Sequence, residues 1–158
     1  MCGIIGGISN TNITPLLLQG LNLLEYRGYD SSGLIVLSNN TFNRARSVGK
    51  VKNLEDSLKK RKHAIIGNIG IAHTRWATHG EPANHNAHPH VSRNLVSVVH
   101  NGIIENYVEL KNTQISIGYK FTSETDTEVI AHAIDWAMGS SIDFLSSVQK
   151  ALKSFKGS

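Results

Sequence analysis

Cysteine is nearly missing from this chain: Cys2 is the one such residue in 158. A single thiol excludes an internal disulfide framework and a cysteine-based zinc site, and it fits a reducing compartment. No charged leader followed by an apolar core stands at the N-terminus, and no apolar run approaches the roughly 20 residues that span a bilayer. The expectation is a cytoplasmic protein with no membrane partner. Internal repeats, linkers and low-complexity tracts are also lacking, so the chain reads as one domain's worth of sequence. Aromatic residues make up only 6%, and none interleaves with the basic run Lys59-Lys60-Arg61-Lys62. Half of the sixteen cationic residues fall between Arg44 and Lys62, within a net charge of +4. Cations at a helix end sit well against its dipole, and no nucleic-acid-binding motif surrounds these, so no nucleic-acid partner is expected.

What is present suffices for a folded core: 40% apolar residues against 18% charged ones. Residues 2 to 8 read as a strand, and Leu16, Leu17, Gly20, Leu21 and Leu24 repeat at helical spacing. Thr14 is the expected N-cap of that helix, Pro15 its first residue, and its end is expected near Tyr26. A polar loop, Arg27 to Gly33, should open onto a strand at Leu34 to Leu37. Ser38-Asn39-Asn40 signals a hairpin turn, with Thr41 to Val48 as the returning strand. Val51, Leu54 and Leu58 mark a short helix. Ile65 to Ala72 should be a buried strand that delivers His73-Thr74-Arg75-Trp76-Ala77-Thr78-His79-Gly80-Glu81-Pro82 at its end. Ala83 to Ser92 should be a loop, Leu95 to Val99 a strand, and Ile103 to Asn106 the opening of a helix. Ser123 to Glu128 carries an N-cap signature before Val129, Ile130, Ala133, Ile134 and Ala137. A last helix is expected between Ile142 and Phe155.

The chemistry concentrates at the N-terminus. If Met1 is removed, which the small second residue permits, Cys2 carries a thiol and an α-amine on one carbon. The thiolate is the reactive form, with an unperturbed pKa of about 8.5, and an α-amine titrating near 8 can take the thiol proton and return it. A lone cysteine is ordinarily a small buried hydrophobe; position two, before Gly3 and an apolar run, favours the nucleophile.

Other motifs carry two readings each. Arg75 is either a surface ion-pair partner or a fork that grips a substrate carboxylate. Asn101-Gly102 is either a hairpin turn or an oxyanion hole built from a side-chain amide and a backbone N–H. Asp126 either caps or charges the start of its helix, or holds a substrate ammonium. His79, His85, His88 and His90 lie close in sequence, but their spacing fits no usual zinc motif, so no metal site is expected. His73 and His100, at strand ends, read as hydrogen-bonding scaffold.

Five stretches together closely resemble one family: Cys-Gly-Ile-Ile-Gly from Cys2, Leu24 to Ser31, His73 to Gly80, His100 to Asn106, and Ser123 to Glu128. They are similar to the glutaminase domains of glutamine:fructose-6-phosphate aminotransferases (isomerising), the glucosamine-6-phosphate synthases. These are class II glutamine amidotransferases and N-terminal-nucleophile hydrolases. Amidophosphoribosyltransferase, asparagine synthetase and glutamate synthase share that fold, but Tyr-Arg-Gly-Tyr-Asp and Arg-Trp-Ala-Thr-His-Gly resemble the synthase branch.

The resemblance implies that Cys2 attacks the side-chain amide of L-glutamine while its α-amine shuttles the proton to departing ammonia. Asn101 and Gly102 would stabilise the oxyanion, Arg75 would bind the α-carboxylate and Asp126 the α-ammonium. Thr78 and His79 would line the pocket, and the loop from Arg75 to Pro82 would close with Trp76 at its base. Arg27 would brace the N-terminal strand. No cofactor is implied. The implied fold is α+β, a four-layer αββα sandwich of two largely antiparallel sheets flanked by helices. The family's domain continues past Ser158, which implies a sandwich incomplete at its C-terminus, with residues 1–158 a truncated glutaminase domain. The sugar isomerase domains would lie elsewhere in the same chain or in a partner chain, with a homodimer among the arrangements. The alternatives are a catalytically incompetent fragment, or split-gene module, that needs a complementary chain, and another class II amidotransferase.

Overall fold

The computed structural model describes residues 2–76, 80–141 and 143–157. The chain forms two compact units: Met1–Pro89 with Val99–Asn101, and His90–Val98 with Gly102–Ser158. No helix of the described residues is long and apolar enough to cross a membrane.

The first unit is built on a four-stranded sheet in which every pairing is antiparallel. Its strands are β1 (Gly3–Ile8), β2 (Ser31–Ser38), β3 (Thr41–Val48) and β4 (Ile69–Arg75), in the order β1-β4-β2-β3. Helices α1 (Thr14–Leu24) and α2 (Val51–Lys59) supply Leu17, Leu21, Val51 and Leu54 to a core shared with Leu34, Val36 and Ala72 of the sheet. The apolar i, i+4 pair Leu17 and Leu21 lies on one helical face, which is why α1 buries that stripe and leaves Leu16 and Leu23 outside. The β2–β3 turn has φ +48° at Asn39 and +57° at Asn40. Two left-handed residues make the tight hairpin whose twist suits antiparallel strands, and Asn tolerates that conformation.

Several boundaries differ from those expected. Thr14 is the first residue of α1 rather than its cap; Ile13 holds the cap position, and no side chain caps the helix. The Thr14 N–H donates to Asn12 Oδ1 at 3.2 Å, and its hydroxyl donates to the Ile65 carbonyl at 2.8 Å. After α1 the chain tightens into a 3-10 turn, Glu25–Arg27. Strand β2 begins at Ser31, three residues before the apolar run, because Ser31 and Ser32 pair with both β3 and β4. Strand β4 starts at Ile69, not Ile65, and continues through Arg75, so His73, Thr74 and Arg75 lie within the strand. Ile65 serves the core from outside the sheet.

Gly33 pairs with His73 in β4. A Cβ there would overlap the His88 carbonyl oxygen and lie 2.9 Å from the Ala45 oxygen, so the segment around His88 crosses directly above this residue. Arginines of β3 hold that segment: Arg46 donates to the carbonyls of His85 and Ala87, both at 3.1 Å, and Arg44 donates to that of Pro89 at 3.1 Å.

The second unit pairs β5 (His90–Ser92) with β6 (Val96–Val98) in a two-stranded antiparallel ribbon and adds α3 (Tyr107–Ser116), α4 (Glu128–Met138) and α5 (Phe144–Leu152). Its core joins Val96, Ile104, Val129, Ile130, Ile134 and Ala151. Strand β5 occupies the end of what the sequence suggested was a loop, and Ile103 to Asn106 precede α3 instead of opening it. The N-cap signature before α4 is met by the carboxylate of Glu128. Glu128 is the first helical residue, and its carboxylate accepts from the backbone N–H and hydroxyl of both Thr122 and Ser123, at 2.6–3.2 Å. Helix α5 has the side-chain cap that the others lack, with Asp143 accepting from the Ser146 N–H at 2.9 Å. Ile142, the expected start of that helix, lies outside the described residues.

Gly33→Ala should cost about 1–3 kcal/mol, because backbone oxygens, not flexible side-chain ends, occupy the space its methyl needs. Gly6→Ala, whose Cβ would meet only Ile71 at 3.4 Å and the Gly70 oxygen at 3.8 Å, should stay within about 0.5 kcal/mol of the parent. Urea titration of the two variants checks this contrast.

Candidate functional site

Cys2 precedes the first rung of the β1–β4 ladder, where Gly3 faces Thr74. This register brings the end of β4 back to the thiol. The half-buried Cys2 Sγ accepts from the Trp76 N–H at 3.2 Å and lies 3.6 Å from the Trp76 carbonyl. The Gly3 N–H donates to Thr74 Oγ1 at 3.2 Å, tying the residue after the thiol to the same strand.

Gly28 makes this approach possible. A Cβ on it would sit 2.8 Å from the Arg75 carbonyl carbon and 2.9 Å from the Trp76 nitrogen, so only a glycine lets the loop after the 3-10 turn lie flat on the end of β4. The Asp30 N–H then donates to the Arg75 carbonyl at 3.0 Å.

The Cys2 carbonyl accepts two side-chain donors, Arg27 Nε at 3.2 Å and Asn101 Nδ2 at 3.1 Å. An asparagine amide nitrogen carries two hydrogens, so one can hold this carbonyl while the other serves a further acceptor. Asn101 Oδ1 lies 2.9 Å from His73 Nε2. His73 is 1% exposed. Burial pushes its pKa down to about 4, against the upward pull of the Asn101 hydrogen bond and the His100 backbone, with Arg75 adding to the depression. Its ring is therefore neutral near pH 7.

Arg75 is buried at 4% exposure, which removes the surface ion-pair reading. Its guanidinium donates to two carbonyls of its own loop, Gly80 at 3.1 Å and Glu81 at 3.3 Å. Trp76 is 47% exposed and stands edge-on to Tyr29, with ring centroids 5.8 Å apart. Thr78 and His79, expected to line the pocket, lie outside the described residues.

In the second unit, Gly102 has φ +153°, a conformation that side chains resist. Asn101-Gly102 is not a two-residue hairpin turn, since β6 pairs with the preceding β5 and no described strand returns beside it. Asp126 is buried, and its Oδ2 accepts from the Ile104 N–H at 2.8 Å. The cap position of α4 falls to Thr127, so Asp126 is not the cap residue.

The histidine-rich stretch is spread among unrelated tasks. His88 stacks on His73 with ring centroids 4.2 Å apart, His90 Nε2 lies 2.9 Å from Thr125 Oγ1, and His85 contributes a main-chain acceptor. Two residues around Cys2 were not singled out in the sequence, Gly28 and Thr74, and His73, read there as hydrogen-bonding scaffold, has Asn101 as its partner. Each lay inside a recognised motif, but only the strand register shows which neighbour it serves.

Residues 73–158 match the family model described as a glutamine amidotransferase domain. Over 99% of its length the chain is 52% identical to glutamine-fructose-6-phosphate aminotransferase (isomerizing) of Acinetobacter baylyi, of which it covers 25%. It is 52% identical, again over 99%, to the enzyme of the same name from Legionella pneumophila strain Paris, covering 26% of it. The Wigglesworthia glossinidia brevipalpis enzyme is 54% identical over 95% of the chain, which covers 24% of it. The chain thus spans about a quarter of the length of the curated relatives it matches. Two solved structures resemble it at 24% identity. Glutamine phosphoribosylpyrophosphate amidotransferase from B. subtilis, complexed with ADP and GMP, has a TM-score of 0.75 and covers 99% of this chain and 33% of its own. An allosteric regulatory enzyme of purine biosynthesis has a TM-score of 0.79 and covers 98% of this chain and 34% of its own. This likeness shows the fold to be the α+β fold of the N-terminal-nucleophile amidotransferases. By sequence and by fold together, the chain belongs to the glutamine amidotransferase domain family.

Proposed function

We propose that residues 1–158 act as a class II glutaminase domain that hydrolyses the side-chain amide of L-glutamine. The ammonia goes to a sugar isomerase domain, in the same or a partner chain, that makes glucosamine 6-phosphate from fructose 6-phosphate. The observation that carries this reading is the Cys2 thiol beneath the Trp76 N–H, with the Asn101 amide anchored on the Cys2 carbonyl. A lone thiol of this kind suits the reducing cytoplasm.

In the first step Cys2 Sγ attacks the amide carbon, a C–S bond forms, and the carbonyl electron pair moves onto oxygen. The second Asn101 amide hydrogen and the Gly102 N–H stabilise that oxyanion. The thiol proton passes to the α-amine exposed by loss of Met1 and from there to the leaving nitrogen; the C–N bond breaks and ammonia departs. Water then adds to the thioester carbon, gives its proton to the α-amine, and expels the thiolate, releasing glutamate. Arg75 binds the substrate α-carboxylate and Asp126 its α-ammonium. Thr78 and His79 line the pocket, the loop from Arg75 to Pro82 closes over it with Trp76 at the base of that loop, and Arg27 braces the strand that carries the nucleophile.

Incubation with a glutamine-mimicking electrophile should give a protein that lacks Met1 and carries one covalent adduct by intact mass. Labelling should vanish in Cys2→Ala and slow with excess glutamine. A retained methionine, or labelling indifferent to glutamine, would favour a non-catalytic module that needs a complementary chain.

Asp126→Asn removes the charge but keeps an acceptor for the Ile104 N–H. It should raise KM for glutamine about 10- to 100-fold while the melting temperature moves little, because a charge-assisted contact is lost and the backbone contact is retained. Glutamate release at varied glutamine concentration, with a thermal melt alongside, measures both.

Burial of neutral His73 also sets an acid limit. Its folded pKa of about 4 lies below its unfolded value of 6.5, so stability is fully present above pH 6.5 and falls as pH drops toward 4. The loss amounts to at most about 3 kcal/mol. His132, lowered mainly by burial, acts in the same direction. Denaturant titrations of the parent and of His73→Gln between pH 7.5 and 4.5 should show the shallower decline in the variant.

A further inference from the structure

We propose that His73 is a positioning residue for the oxyanion site, its Nε2–H locking the Asn101 carboxamide in the one orientation that turns the amide hydrogens toward Cys2. The inference rests on the glutaminase reading above and adds a residue to it.

The orientation follows from what each atom can do. The Cys2 carbonyl oxygen only accepts, so the Asn101 atom 3.1 Å from it must be the amide nitrogen. Asn101 Oδ1 then faces His73 Nε2 at 2.9 Å, and a carbonyl oxygen also only accepts, so Nε2 must carry the hydrogen. A neutral ring carries one hydrogen, and the low pKa of this buried group keeps the ring neutral, so the Nε2–H tautomer is the resident one. The ring is itself confined. It sits within β4 with Gly33 opposite, is 1% exposed, and stacks on His88 at 4.2 Å.

Asn101, by contrast, lies past the end of β6 on an exposed stretch without regular structure. An exposed asparagine could present either face of its carboxamide, and the flipped one would point an oxygen at the Cys2 carbonyl and at any developing oxyanion. The buried histidine decides between the two. It does so from outside the substrate's reach, acting through Asn101.

The test compares His73→Leu, which removes the donor, with His73→Gln, which supplies a side-chain N–H of similar reach, both in the full 158-residue chain. Loss of one oriented oxyanion donor typically lowers kcat by about a hundredfold. His73→Leu should show a loss of that order with KM changed less than about threefold, and His73→Gln should recover at least about tenfold of it. Alkylation of Cys2 by iodoacetamide, which needs no oxyanion site, should proceed at the parent rate in both. A folded His73→Leu that keeps its kcat, or one that loses only KM, overturns the proposal.

Nitrogen-15 NMR of the histidine rings covers the case in which the leucine variant fails to fold. The parent at pH 7 should show His73 as the Nε2–H tautomer, with the two Asn101 amide protons resolved and slow to exchange; an Nδ1–H tautomer overturns the proposal. If the parent releases no glutamate from glutamine, the functional reading fails by itself, and the tautomer still decides whether His73 sets the amide.

Discussion

The antiparallel pairing of β1 with β4 is the constraint on which the first unit depends. One edge strand carries the residue after the thiol, and its central neighbour runs directly into Trp76, which meets that thiol. Because Gly3 faces Thr74, the chain leaving β4 must pass Cys2, and the Trp76 amide arrives at sulfur without a dedicated loop. Backbone hydrogen bonds set this geometry, and side chains only refine it. The same strand pairs on its other side with β2, where Gly33 leaves room for the segment that lays His88 on His73. Sheet, thiol and Trp76 amide are thus held by one set of rungs.

Much of this was legible beforehand. The hairpin at Asn39-Asn40, the helix at Val51 and the apolar stripe of α1 follow from spacing and turn chemistry, and they occur where expected. The strand ends did not. Ile65 and Ile66 are apolar enough to extend β4, yet Gly67-Asn68 intervenes before the strand, and Ile65 is used in the core and by the Thr14 hydroxyl instead. Ser31 and Ser32 look like loop residues because they are polar, but they are buried between two partner strands.

For the site, the sequence picked out residues that meet in the structure, but not how they are held. Cys2, Arg27 and Asn101 do come together, joined through the Cys2 carbonyl. The arginines of β3, which the sequence showed only as part of a cation-rich stretch, hold carbonyls of the histidine-rich loop. A positive charge serving a neutral acceptor leaves no trace in a one-dimensional pattern, since its partner has no side-chain signature.

Strand β4 also behaves as a phase-sensitive ruler. Its side chains alternate faces, so one residue added or removed between Ile69 and Trp76 would exchange the environments of His73 and Thr74 and carry Trp76 away from the sulfur. The Asn39-Asn40 tip carries no such phase, because length gained there leaves every rung of the ladder in step. Length variation across natural or engineered versions of this domain should therefore collect at the hairpin tip and leave the ruler unbroken.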